Sequence, residues 1–92
     1  MEKNNSTDQL FEAILTLKNK EECYKFFSDA CTPKEIQAIA QRSTVGKMLY
    51  NTAVYSEIIE ATGASTATIS RVSRSINEGY KMVFERLKQE NE

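Results

Sequence analysis

Ninety-two residues with a net charge of −1 leave room for one domain, residues 1–92, and exclude a generally basic nucleic-acid-coating protein, so any nucleic-acid contact must come from a local patch. The chain has no histidine and two cysteines, which excludes histidine-based triads and leaves too few ligands for a tetrahedral zinc site. Apolar residues are 40% of the chain. They never form the run of about 18 that a membrane span requires.

Residues 1–6 read as a polar tail, and MEKNNSTDQ lacks an apolar signal core, which points to a cytoplasmic protein. From about Thr7, the residues Leu10, Phe11, Ile14 and Leu15 recur at helical spacing. Asn19-Lys20 is a weak break. Glu21 to Ala30 repeats the stripe with Cys23, Phe26, Phe27 and Ala30. Cys23, on the apolar stripe, and Cys31, in a helix-end loop, read as buried or structural rather than as nucleophiles, and a cytoplasmic compartment disfavours a disulfide between them. Thr32-Pro33-Lys34-Glu35 is a helix start on three agreeing signals: Thr32 as cap, Pro33 in the first turn, and Glu35 reaching back in a capping box. That helix runs to about Tyr50, with Ile36, Ile39, Ala40, Val45, Met48 and Leu49 as its apolar set.

Asn51-Thr52 reads as a polar loop, and Tyr55 to Thr62 as a short helix with Ile58 and Ile59 facing inwards. Gly63 supplies the positive φ of a helix end. Ser65 or Thr66 caps the next helix, which runs to about Asn77 and buries Ile69, Val72 and Ile76. Gly79 is expected to interrupt the chain before a last helix carrying Tyr80, Val83, Phe84 and Leu87. No segment alternates with period two for long enough to be a strand. The expected fold class is all-α, with about six helices.

Residues 54–77 carry the chemistry. Two helices joined by a Gly63-Ala64-Ser65 turn have the pattern of a helix-turn-helix, and the stretch 64–76 contains no acid. Thr66, Thr68, Ser70 and Ser73 read as one uncharged, hydroxyl-rich face, Ala67 allows close approach, and Arg71 and Arg74 supply cations. A helix entering the major groove of DNA needs those residue types. A plain helical hairpin with a solvated polar face would show the same pattern. Arg42, in mid-helix, is open to two readings. It is either a solvated arginine lying along its helix, or a guanidinium lining a pocket for a flat ligand or carboxylate.

Three segments, TPKEIQAIAQR (32–42), EIIEATGAS (57–65) and ATISRVSRSI (67–76), make the chain resemble the tryptophan repressor family, over about half its length. It is most similar to the YerC/YecD branch of tryptophan-repressor-like proteins. The resemblance implies an intertwined homodimer with two helix-turn-helix heads about one DNA turn apart, on a palindromic operator in double-stranded DNA. It also implies a DNA-contacting set of Ser65, Thr66, Ala67, Thr68, Ser70, Arg71 and Arg74, with Lys47 as a further phosphate contact. Ser56 stands where a base-contacting arginine occurs in the family, so the operator should differ.

The resemblance further implies a corepressor site. Arg42 and Arg71 match the arginines that flank the ligand ring, Ser75 matches a serine near its amino group, and Thr32 matches a pocket threonine from the partner chain. Main-chain carbonyls of Asp29 and Cys31 fall where the ammonium is held. Val72 stands where corepressor-binding members have glycine, and Gly46 where they have valine. A three-carbon gain beside the ring is large for a close-packed site. Tryptophan is therefore expected to bind weakly or not at all, with another small carboxylate as the alternative, and no other cofactor is implied. The leading functional expectation is a DNA-binding transcriptional regulator, in the manner of a repressor. The runner-up is a dimeric interaction protein that has lost operator reading, and an enzyme is a distant third.

Overall fold

The computed structural model describes residues 1–75 and 78–90, Ser75 by its backbone only. The described residues form six helices and no strand: α1 (Asn5–Ile14), α2 (Lys20–Ala30), α3 (Pro33–Tyr50), α4 (Tyr55–Thr62), α5 (Thr66–Ser75) and α6 (Glu78–Glu90). None of these helices is long and apolar enough to cross a membrane. The chain forms two compact units, Met1–Ile36 and Gln37–Glu92, and the division falls within α3.

In the first unit, side-chain caps set the helix starts. The Asn4 side chain accepts a hydrogen bond from the Thr7 amide at 2.8 Å, and that of Asn19 accepts from the Glu22 amide at 2.9 Å. Each cap satisfies one amide that the first turn leaves without a helical partner. The Asn4 cap starts α1 at Asn5, so the expected tail of residues 1–6 is shorter than its polarity suggested. At α3 the expected capping box forms: the Thr32 N–H donates to Glu35 Oε1 at 2.8 Å, and the Glu35 N–H donates to Thr32 Oγ1 at 3.2 Å. The Thr32 backbone N–H, and after it the Thr32 hydroxyl, hold the Glu35 carboxyl below the usual glutamate range.

No side chain between residues 1 and 36 is buried in the single chain. Phe26 and Phe27 meet edge to face at 5.1 Å. Cys23, Tyr24, Phe27, Cys31, Pro33 and Ile36 line an open apolar groove of about 500 Å³.

The second unit holds the core. Val45 of α3, Ile58 of α4, Ala64 of the turn, and Ile69 and Val72 of α5 form one buried cluster, with Met48, Leu49, Ala53 and Tyr80 packed around it. Phe84 is buried as well. The expected inward positions Val45, Ile58, Ile69 and Val72 are all there, while Ile76 and Asn77 lie outside the described residues. Ile59 is a correction. It remains 39% exposed, because α4 packs through Ile58 and the next residue is rotated by about 100° around the helix.

Two helix ends use left-handed backbone. At Thr52 φ is 62°, with Ala53 N–H donating to the Met48 carbonyl and Thr52 N–H to the Leu49 carbonyl, the pairing of a Schellman end. At Gly63 φ is 70°, and its N–H donates to the Ile59 carbonyl at 2.8 Å. Gly79 was expected to break the chain. It lies instead in the first turn of α6, where a helix tolerates glycine well.

Candidate nucleic-acid interface

The α4–α5 pair is fixed locally from both sides of its turn. The Thr62 hydroxyl donates to the Ile58 carbonyl at 2.7 Å and accepts from the Ala64 amide at 3.1 Å. Gln41 Nε2 of α3 donates to the Thr62 carbonyl at 3.2 Å, which ties the end of α4 to the longest helix. Ala64 is 2% exposed and plugs the inside of the turn. Ser65 is the cap of α5: its Oγ accepts from the Thr68 amide at 3.1 Å and donates to Thr68 Oγ1 at 3.1 Å. The Ser65 and Thr68 side chains are therefore engaged with each other before any partner arrives.

Burial of Ile69 and Val72 fixes the rotation of α5. With 3.6 residues per turn, Ala67, Ser70, Arg71 and Arg74 fall on the opposite face at the spacing i, i+3, i+4 and i+7. Ala67, Arg71 and Arg74 are exposed and Ser70 is half-buried. Thr66 and Ser73, both exposed, flank this face on the Ser70 side. The four hydroxyls expected on one face thus divide. Thr66, Ser70 and Ser73 stay together, and Thr68 turns to the other flank, where Ser65 holds it. Among the described residues Arg71 and Arg74 enter no ion pair. Lys47 and Ser56 are exposed on α3 and α4.

A short two-helix unit whose second helix has a cation-bearing, acid-free outer face is a general arrangement, and similarity to known proteins decides what it belongs to. Residues 5–91 match the model of the Trp repressor protein family. The chain belongs to that family. Its sequence is 54% identical over 85 residues to the YerC protein of Bacillus subtilis, whose role is uncharacterized; the match covers 89% of this chain and 82% of YerC. Its structure is similar to that of a TrpR-like protein from Eubacterium eligens, with TM-score 0.90 and 54% identity over 94% of this chain and 92% of the other. A candidate Trp repressor from Staphylococcus aureus gives TM-score 0.89 and 49% identity over 94% and 89% of the two chains. The Trp-repressor-like, all-α fold expected from the sequence is therefore the fold of this chain. A regulator family with a DNA-binding fold, rather than an enzyme family, is its setting.

Among the positions that the family resemblance assigns to a ligand, Arg42 and Arg71 are exposed. Thr32 is exposed and occupied in the α3 capping box. Val72 is 2% exposed and belongs to the core cluster. Gly46 is buried against α6: a methyl group there would lie 3.3 Å from Phe84 Cε2 and 3.3 Å from Tyr80 Cδ2. The Ser75 side chain lies outside the described residues. The cysteines are a further correction. Cys23 is exposed and Cys31 half-buried in the single chain, on an unpartnered groove rather than in a core. The sequence did not reveal the Gln41–Thr62 tie or the seat of Tyr80 on Gly46. A glycine in the middle of an otherwise good helix was the one available signal, since such a glycine often marks a close approach.

Proposed function

We propose that this protein is a homodimeric, sequence-specific DNA-binding regulator, acting in the cytoplasm as a repressor through α4 and α5 as a helix-turn-helix. The observation that carries the reading is the outer face of α5. Ala67, Ser70, Arg71 and Arg74 share it, no acid lies between Ala64 and Ser75, and neither arginine enters an ion pair among the described residues. Small residues let the helix sit deep in the major groove, hydroxyls bond base edges or phosphates, and the guanidinium groups meet phosphates. Thr66 and the Ser65–Thr68 pair lie at the N-terminal end of α5, the end that reaches bases in this motif. Repression follows from occupying an operator that overlaps a promoter.

Association of two copies is supported by what the single chain leaves uncovered. Phe11 is 42% exposed, Ile39 45% and Leu87 42%, and the first unit buries none of its side chains. A second copy covering those faces would complete the core and pair the two α5 helices across a two-fold axis, on a near-palindromic operator.

For the ligand, Val72 in the core and Gly46 beneath the α6 rings favour weak tryptophan binding or none, with another small carboxylate as the alternative. Calorimetry detecting micromolar tryptophan affinity would overturn this part. The rival reading, a dimeric interaction protein without operator binding, draws on the net charge of −1 and on the exposed Ser56.

Selection of bound duplexes from a random pool at about 100 mM salt separates the two, with the Arg71→Ala/Arg74→Ala double variant as control. Enrichment of one near-palindromic sequence by the parent protein alone supports the regulator. A folded dimer that enriches nothing, with or without tryptophan, refutes it.

A further inference from the structure

The inner face of α6 rests on the one glycine within α3. Tyr80 and Phe84 stack with ring centres 5.6 Å apart and planes 10° apart, and Tyr50 at the end of α3 closes on Phe84 at 6.1 Å. A methyl group at Gly46 would come to 3.3 Å from each ring, inside the 3.5–4.0 Å of ordinary carbon contact. Tyr80 also packs against the cluster formed by Val45, Ile58, Ala64, Ile69 and Val72. One ring therefore fills the space that a side chain at position 46 of α3 would need, and also packs on the core cluster that holds Ile69 and Val72 of α5.

We propose that Tyr80 is the positioning residue that sets how α5 lies on α3. Its ring is a built-in wedge, given room by Gly46 and held upright by Phe84. The proposal deepens the reading of α5 as the DNA-contacting helix, and only its consequence for DNA affinity rests on that reading. Interiors pack closely, so a rigid ring at the meeting of two helices and a core defines one arrangement where a smaller side chain admits several. Removing the ring leaves a space with aromatic and aliphatic walls, suited to a free phenol-class compound of the same shape.

The test uses the full chain in four forms: parent, Tyr80→Ala, Tyr80→Phe and Gly46→Ala. Amide hydrogen exchange is followed over residues 64–75, without and with millimolar p-cresol, which is the tyrosine side chain as a free molecule. The expected result for Tyr80→Ala is exchange at least tenfold faster over 64–75, unchanged exchange in α2, and recovery of at least fivefold with p-cresol. Tyr80→Phe should match the parent. Gly46→Ala should also speed exchange over 64–75, although alanine is the better helix former.

Unchanged exchange in a folded Tyr80→Ala protein overturns the proposal. So does faster exchange that neither p-cresol nor phenylalanine restores, because a purely structural loss would behave that way. If Tyr80→Ala does not fold, unchanged exchange in Gly46→Ala overturns it. Affinity for the selected duplex is measured in parallel. A parent protein that binds no duplex defeats the DNA-binding reading while the exchange result stands. A parent that binds, together with a loosened Tyr80→Ala that binds equally well, defeats the positioning role.

Discussion

Exchanging side chains at the two left-handed helix ends should shift stability in opposite directions. At Gly63 φ is 70° and, its chain neighbours apart, no heavy atom of the described residues lies within 4 Å of where a Cβ would sit, so Gly63→Ala meets backbone strain rather than a clash. An L-residue in this region costs about 1–2 kcal/mol. Alanine also restricts the unfolded chain, which offsets about 0.4–1 kcal/mol. The net loss is about 0.8 kcal/mol. Thr52, with φ of 62°, already carries that strain, and a β-branched residue tolerates it poorly. Thr52→Gly reverses both terms and should gain about 0.8 kcal/mol, less a little for the exposed hydroxyl bond to the Asn51 carbonyl. The two variants should therefore differ by about 1.5 kcal/mol. In melting temperature, at about 4–8 °C per kcal/mol for a domain of this size, that is about 6–12 °C. Melts followed by circular dichroism at one fixed protomer concentration measure it, since association makes the midpoint concentration-dependent. Gly63→Asn should lose less than Gly63→Ala, because asparagine enters this region more readily. A Gly63→Ala protein as stable as the parent, or a Thr52→Gly protein less stable, would refute the strain argument.

Three further outcomes follow from the same structure. Ile69→Ala empties a fully buried site at the centre of the core and should cost about 2–5 kcal/mol in denaturant unfolding. In DNA titrations across a salt series, each of Arg71→Ala and Arg74→Ala should lower the slope of log K against log salt. The reduction should be about 1.8 per dimer, from two lost phosphate contacts at about 0.9 each. Glu35 has a carboxyl held below its usual range by Thr32, so its ionised form contributes stability above the unfolded glutamate pKa, about 4.3. That contribution disappears as pH falls through the lower folded value. The stability advantage of the parent over Glu35→Gln, measured by urea unfolding at several pH values, should be full near neutrality and vanish in acid.

Much of the fold was legible because the local signals are chemical. Thr32, Pro33 and Glu35 spell a helix start that the structure builds as a reciprocal pair of hydrogen bonds. Gly63 spells a left-handed end, and Ile58, Ile69 and Val72 spell the inward faces of α4 and α5. Asn4 and Asn19 were read as tail and weak break, because an asparagine cap looks like any polar residue until the amide three residues on turns toward it. The polar stripe of α5 was read as one face from composition. Its division followed only from knowing which side Ile69 and Val72 bury. Ile59 and the two cysteines looked buried because helical periodicity marks a residue as apolar-facing without saying whether the same chain covers it. The Tyr80–Gly46 contact joins residues 34 positions apart, and its one local trace, a glycine in mid-helix, does not name the partner.

The most direct measurement is hydroxyl-radical footprinting of the selected duplex with the parent protein, alongside its binding stoichiometry by sedimentation. The account predicts two chains per duplex, two symmetric protected half-sites about 10–10.5 base pairs apart, and loss of both in the Arg71→Ala/Arg74→Ala protein. Equal affinity for the selected duplex and a scrambled one, with no protected half-sites, would contradict it.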